Sequence, residues 1–142
     1  MKKLSILLLS LLTVACVTGG YNPRYYYNEI QVVNLTGGTI VDVKVQIGES
    51  GRTVSCDSVL KYALCDERFG RRRYPQQGIQ LSWTHTDGSQ KSQLLTPAIS
   101  VHYFTAFPLR IMLEISEDGS VKSYFQQEEP GRDRSPIFTS GL

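Results

Sequence analysis

Thr39 to Gly48 reads TIVDVKVQIG, and its period is two. Val41, Val43, Val45 and Ile47 fall on one face; Asp42, Lys44 and Gln46 fall on the other. Successive side chains of a strand point to opposite sides of the pleat, so this pattern predicts a half-buried antiparallel strand. The alternation recurs in Gly78 to His85, with Ile79, Leu81 and Trp83 inward, and in Leu109 to Ser116, with Leu109, Ile111, Leu113 and Ile115 inward. Turn residues stand between the runs. Gly37-Gly38 adopts positive φ cheaply and predicts a hairpin joining the strand Asn28 to Thr36 to the strand that follows. Thr86-Asp87-Gly88-Ser89 and Glu117-Asp118-Gly119-Ser120 turn the chain into the returning strands Lys91 to Thr96 and Val121 to Gln126.

Three segments are less regular. Arg52 to Cys56 reads as a short strand, and Ser58 to Cys65 as a further short strand or one helical turn. Ala98 to Phe107, between Pro97 and Pro108, reads as extended, with Ile99, Val101 and Tyr103 on one face. About eight short strands with turns between them and no long helix predict an all-β fold. It is a single antiparallel β-sandwich, immunoglobulin-like or Greek-key, with a small β-barrel as the alternative. The inter-sheet disulfide of antibody domains is not expected, because Cys56 and Cys65 both precede Trp83 and lie too close in sequence.

The first sixteen residues, MKKLSILLLSLLTVAC, set the compartment. Lys2 and Lys3 precede an apolar core from Leu4 to Leu12 that is too short to span a bilayer, which needs about 20 residues. A basic start, a short apolar core and small residues after it mark a secretory signal. Thr13-Val14-Ala15-Cys16 resembles the lipobox of bacterial lipoprotein precursors, with Leu12 one place ahead of the family's leucine. The resemblance is confined to this segment. It implies cleavage before Cys16, diacylglycerol on its thiol and an acylated new amine, a stable anchor because several acyl chains act together. Val17, and not aspartate, follows the cysteine, which by the same resemblance implies the outer membrane, facing the periplasm. The expected organisation is a signal over 1–15, a lipidated cysteine and linker over 16–27, the sandwich over 28–126 and a flexible tail over 127–142. That tail, rich in charge, Pro and Gly, has only Ile137 and Phe138 to dock. In the linker, tyrosines 21, 25, 26 and 27 either sit at the headgroup layer or, for the last two, pack on the edge of the domain.

The net charge of +2 belongs to Lys2 and Lys3; without them 13 basic side chains face 13 acidic ones. A neutral chain suits nucleic acid poorly, since that binding relies on many phosphate-neutralising cations. With Cys16 lipidated, Cys56 and Cys65 remain as a pair in an oxidising compartment and are expected to form a disulfide. A metal pair lacks further ligands, since His85 and His102 are the only histidines and neither forms a ligand spacing. A redox pair would favour CxxC. No cofactor is expected.

Chemistry has no local signature here: GxSxG, HExxH, SxxK and a phosphate loop are all missing from the sequence. His85 and Asp87 are accounted for by a turn, and no catalytic residue is assigned. The candidate contact surface is DERFGRRRYPQQG, read as a long basic loop carrying Arg68, Phe69, Arg71, Arg72, Arg73 and Tyr74. It suits an anionic headgroup, lipopolysaccharide phosphate or an acidic partner. The plainer reading is a solvated loop with one arginine paired to a carboxylate and Phe69 closing the core. The function expected is a non-catalytic binding or accessory module for an envelope protein. A structural or assembly lipoprotein is the alternative, and a hydrolase without a local motif comes after it.

Overall fold

A computed structural model describes residues 25–49, 51–75 and 77–127. The signal segment, Cys16, residues 17–24 of the linker and residues 128–142 of the tail lie outside the described residues. The eight strands are β1 (Tyr26–Leu35), β2 (Ile40–Ile47), β3 (Thr53–Val59), β4 (Leu64–Arg73), β5 (Ile79–His85), β6 (Gln90–Leu95), β7 (Leu109–Ser116) and β8 (Val121–Gln127). They form two four-stranded sheets, ordered β4-β1-β7-β8 and β3-β2-β5-β6. The chain is thus an all-β sandwich, as the period-two pattern predicts. The sheets stay separate and do not close into a barrel. All pairings are antiparallel except β1 with β7, which run parallel.

The core lies between the sheets. Ile30 and Val32 of β1 and Leu109, Ile111, Leu113 and Ile115 of β7 face Val43, Val45 and Ile47 of β2 and Ile79, Leu81 and Trp83 of β5. Each such side chain, fully removed from water, favours the fold by about 1.5–3 kcal/mol. Trp83 is 1% exposed and its indole N–H donates to His85 Nε2 at 3.2 Å.

The expected hairpin at Gly37-Gly38 does not form. β1 and β2 belong to different sheets, and the chain arches over the end of the sandwich between them. A two-residue hairpin turn needs positive φ, and neither glycine adopts it. The arch is held by Asn34, whose side-chain amide donates to Gly38 O, Val59 O and Leu60 O, and whose Oδ1 accepts from Thr36. The alternation of β2 also slips once. Asp42 takes φ of 52°, and the β2–β5 register shifts between Val41 and Lys44. The bulge turns Ile40 inward and leaves Val41 half-buried.

Three further expectations are corrected. Ser58 to Cys65 is neither one strand nor a helical turn: β3 runs to Val59, a corner follows with Tyr62 at φ of 61°, and β4 starts at Leu64. The basic segment from Asp66 to Arg73 is strand β4 and not a loop. Residues 98–107 form turns and not a strand, because Pro97 and Pro108 bound a segment with no partner strand. The folded unit also begins before residue 28: of the two tyrosines expected to pack on the edge of the domain, Tyr27 is buried in the core and Tyr26 is half-buried in β1, and Tyr25 is buried as well. At the other end, Gln127 completes β8 instead of opening the tail.

Cys56 of β3 and Cys65 of β4 form the expected disulfide, with Cα atoms 6.5 Å apart. The two strands are the edges of opposite sheets, so the bridge clasps the sandwich along one side. Cys56 pairs with Val43 and Cys65 with Val32 in their ladders, at the level of the core. Cys56→Ser with Cys65→Ser is expected to lower stability by roughly 2.5–3 kcal/mol, the loop-closure value for a ring of this size. Urea unfolding with and without reductant measures it: the wild-type chain should fall to the variant's midpoint on reduction, and the variant should not respond.

Candidate functional site

The register of β1 brings one end of the sandwich together. Tyr26 pairs with Arg73, and Tyr27 with Arg72 on one side and Leu109 on the other; Leu109 in turn pairs with Gln127. Chain entry at Tyr25, the end of β4, the start of β7 and the end of β8 therefore share this end. β4 is an edge strand, which is why the sequence can spend four arginines on it. Alternation sends Cys65, Glu67 and Phe69 towards the second sheet, and Asp66 and Arg68 outward.

The six candidate residues divide by role. Phe69 is half-buried, meets Tyr27 edge-on at 5.3 Å and carries the Arg52 guanidinium 4.7 Å from its ring centre. Tyr74 is buried, touches Tyr27 and Phe125 edge-on, and its N–H donates to Tyr25 O at 2.9 Å. Both are packing residues. Arg68 pairs with Glu29 at 3.3 Å, so the plainer reading of one arginine bound to a carboxylate holds for it. Arg71 stacks on Tyr26 at 4.0 Å and donates to Thr105 O. Arg72 and Arg73 have no ion-pair partner among the described residues.

Arg72 and Arg73 line a cleft of about 320 Å³ with Arg52, Tyr27, Gly51, Pro75 and Gln77. Arg52 arrives from the start of β3 and is held by an ion pair with Glu67, which neutralises one of the three cations. Burial pushes the Tyr27 hydroxyl above its ordinary pKa of 10.0, and the charges of Arg72 and Arg52 pull it back only in part. Tyr27 is therefore a neutral O–H donor at neutral pH. Three arginines and a tyrosine among the lining residues bring positive charge and donor groups to one cleft. That composition fits a carboxylate or a phosphate, for which the planar arginine fork is suited to paired hydrogen bonds. Arg52, Tyr27 and Gln77 carry no local sequence signal for this role: Tyr27 meets Arg72 through the β1–β4 register, and Arg52 reaches them because the edges of the two sheets are clasped side by side.

The other surfaces are plainer. At the opposite end, turns 36–39, 85–89 and 117–119 surround an open cavity of about 470 Å³ lined by Asp87, Asp118, Glu117 and Lys91. The carboxyls of Asp87 and Asp118 accept from Ser89 and Ser120, bonds that hold them below their ordinary pKa and occupy them in the turns. Among the described residues no group of three or more His, Cys, Asp or Glu side chains is arranged to hold a metal. His102 lies exposed in the segment between β6 and β7, apart from His85.

No protein-family model and no curated protein matches the chain. A protein from Eubacterium rectale solved by NMR is similar in structure, with a TM-score of 0.46 and 12% sequence identity. The match covers 79% of this chain and 95% of that one.

Proposed function

We propose that the chain is a lipid-anchored binding protein of the bacterial envelope, tethered through Cys16 to the outer membrane and facing the periplasm. It acts without catalysis, by taking an anionic group of a protein partner into the arginine cleft. One observation carries this reading: Arg72 and Arg73 both line the cleft, and neither has an ion pair among the described residues. Every other arginine of this sheet has a carboxylate or a ring against it. Cations without a carboxylate partner in the fold are open to an anionic ligand, which would supply the missing charge. The exposed edge of β4 beside the cleft offers backbone donors and acceptors to an extended segment of the same partner.

The test compares cells making the wild-type chain, Cys16→Ala and Arg72→Ala/Arg73→Ala, crosslinked, fractionated and captured on a tag. Cys16→Ala should move to the soluble periplasm. The arginine pair should stay at the membrane and lose its crosslinked partner by about tenfold or more, the effect of about 1.4 kcal/mol or more of lost binding. Cys16→Ala remaining at the membrane would remove the anchor. Undiminished capture by the arginine variant would remove the cleft.

A further inference from the structure

The segment from Thr96 to Pro108 reads TPAISVHYFTAFP and contains no Asp, Glu, Lys or Arg. Its backbone is well held. The Tyr103 hydroxyl donates to Phe125 O, Phe104 N–H donates to Gln127 Oε1 at 2.9 Å, and the Gln127 amide donates back to Phe104 O and Phe107 O. Arg71 fixes Thr105 O from the other side. On this fixed backbone Ile99 and Tyr103 pack against the core, while three other apolar side chains are left in water: Val101 is 88% exposed, Phe104 66% and Phe107 37%, with the two phenyl rings in edge contact. Fixed backbone with exposed apolar groups is the arrangement of a contact surface, since nothing in the fold itself is gained by leaving them in water.

The location names the occupant. Val101 lines a cavity together with Tyr25, the first described residue, and Tyr74, so the patch sits where the chain enters the sandwich. Eight residues separate Tyr25 from Cys16, a span of at most about 30 Å when fully extended. Arg71, Arg72 and Arg73 stand at the same end, whereas the cavity between the turns of the opposite end is lined by Asp87, Glu117 and Asp118. We infer that this end of the sandwich is a membrane-docking surface: Val101, Phe104 and Phe107 enter the boundary between headgroups and acyl chains of an anionic bilayer, with Arg71 against the phosphates. Apolar side chains beside basic ones are the composition of interfacial anchoring, in which penetration is shallow and charge complements the lipid. The inference rests on the anchored reading for its geometry. It would place the arginine cleft next to the bilayer and turn the acidic turns away from it.

The full chain carrying Phe104→Trp, purified from membranes, is reconstituted into vesicles of phosphatidylethanolamine and phosphatidylglycerol with and without brominated acyl chains. Trp83, buried in the core, supplies the unquenched baseline. Bromination should reduce the emission added by Phe104→Trp by about twofold or more, as expected for a side chain about 5–10 Å into the boundary. Adding Val101→Asp should restore that emission with the urea midpoint unchanged. Emission that ignores bromination would overturn the docking surface, and capture of a protein by the patch would then be the competing result. The mass of the Cys16 peptide from the same preparation reads the anchor separately. Should Cys16 prove unmodified, quenching by the same vesicles added to the chain still decides whether the patch meets lipid.

Discussion

Asn34→Ala should destabilise the chain by about 3–5 kcal/mol, the range for breaking a buried hydrogen-bond network. Asn34 is fully buried. Its amide donates to Gly38 O at 2.8 Å, Val59 O at 2.9 Å and Leu60 O at 3.2 Å, and its Oδ1 accepts from Thr36 N–H at 3.0 Å and from the Thr36 hydroxyl at 2.7 Å. One side chain thereby ties the arch between β1 and β2 to the corner between β3 and β4, two of the four places where the chain changes sheet. Alanine strands carbonyls that burial keeps from water, and each such group costs about 1–3 kcal/mol. Asn34→Asp separates donation from size. Its carboxylate would face three carbonyls, so its pKa in the fold should rise above the unfolded value of about 3.9. The stability of that variant should be highest below that pH and fall as pH rises through the raised folded value. Urea midpoints across pH 3–7 measure this; a midpoint for Asn34→Asp that increases with pH would contradict the role of the amide as donor.

The second large effect is at Glu29. This carboxylate is 2% exposed on the outer face of the first sheet, where Arg110 stands 3.0 Å away, Arg68 3.3 Å away and the Gln31 amide donates at 2.8 Å. Arg110 is the more buried of the two cations and itself donates to Gln126. Arg110→Ala takes from the buried carboxylate the more buried of its two cations, and should cost about 3 kcal/mol. Removing both charges with Glu29→Leu/Arg110→Leu should cost less than Arg110→Ala alone, because no charge is then left buried without its partner. A double variant as unstable as the sum of the single ones would show that the pair acts through packing instead.

What the sequence shows and hides follows from how much each strand buries. β2, β5 and β7 contribute whole apolar faces, so Val43, Val45, Leu81, Trp83, Ile111 and Leu113 announce their strands directly. β4 buries only part of Cys65 and Phe69 and carries its charges on an exposed edge, so its composition is that of a loop. Residues 98–107 show the converse: Ile99, Val101 and Tyr103 alternate, but the prolines on either side leave no ladder for them to join. The Gly37-Gly38 pair has the composition of a hairpin turn, and the decision against it is made by Asn34, through contacts with Val59 and Leu60 that are distant in sequence. The same holds for the cleft. The arginine run is visible, but which of its members stay unpaired depends on Glu29 and Tyr26, the place of Tyr27 depends on its register with Arg72, and the contribution of Arg52 depends on two edge strands meeting. Pairing of this kind has no local signature.

The most direct measurement places a photoreactive benzoylphenylalanine at Gln77, which lines the arginine cleft, and in a separate strain at Asp87 in the turns of the opposite end. Irradiation of living cells should give a discrete crosslinked protein from position 77, lost on adding Arg72→Ala and Arg73→Ala, and none from position 87. Crosslinking from position 87 alone, or from position 77 unchanged by loss of both arginines, would contradict a partner held in the cleft.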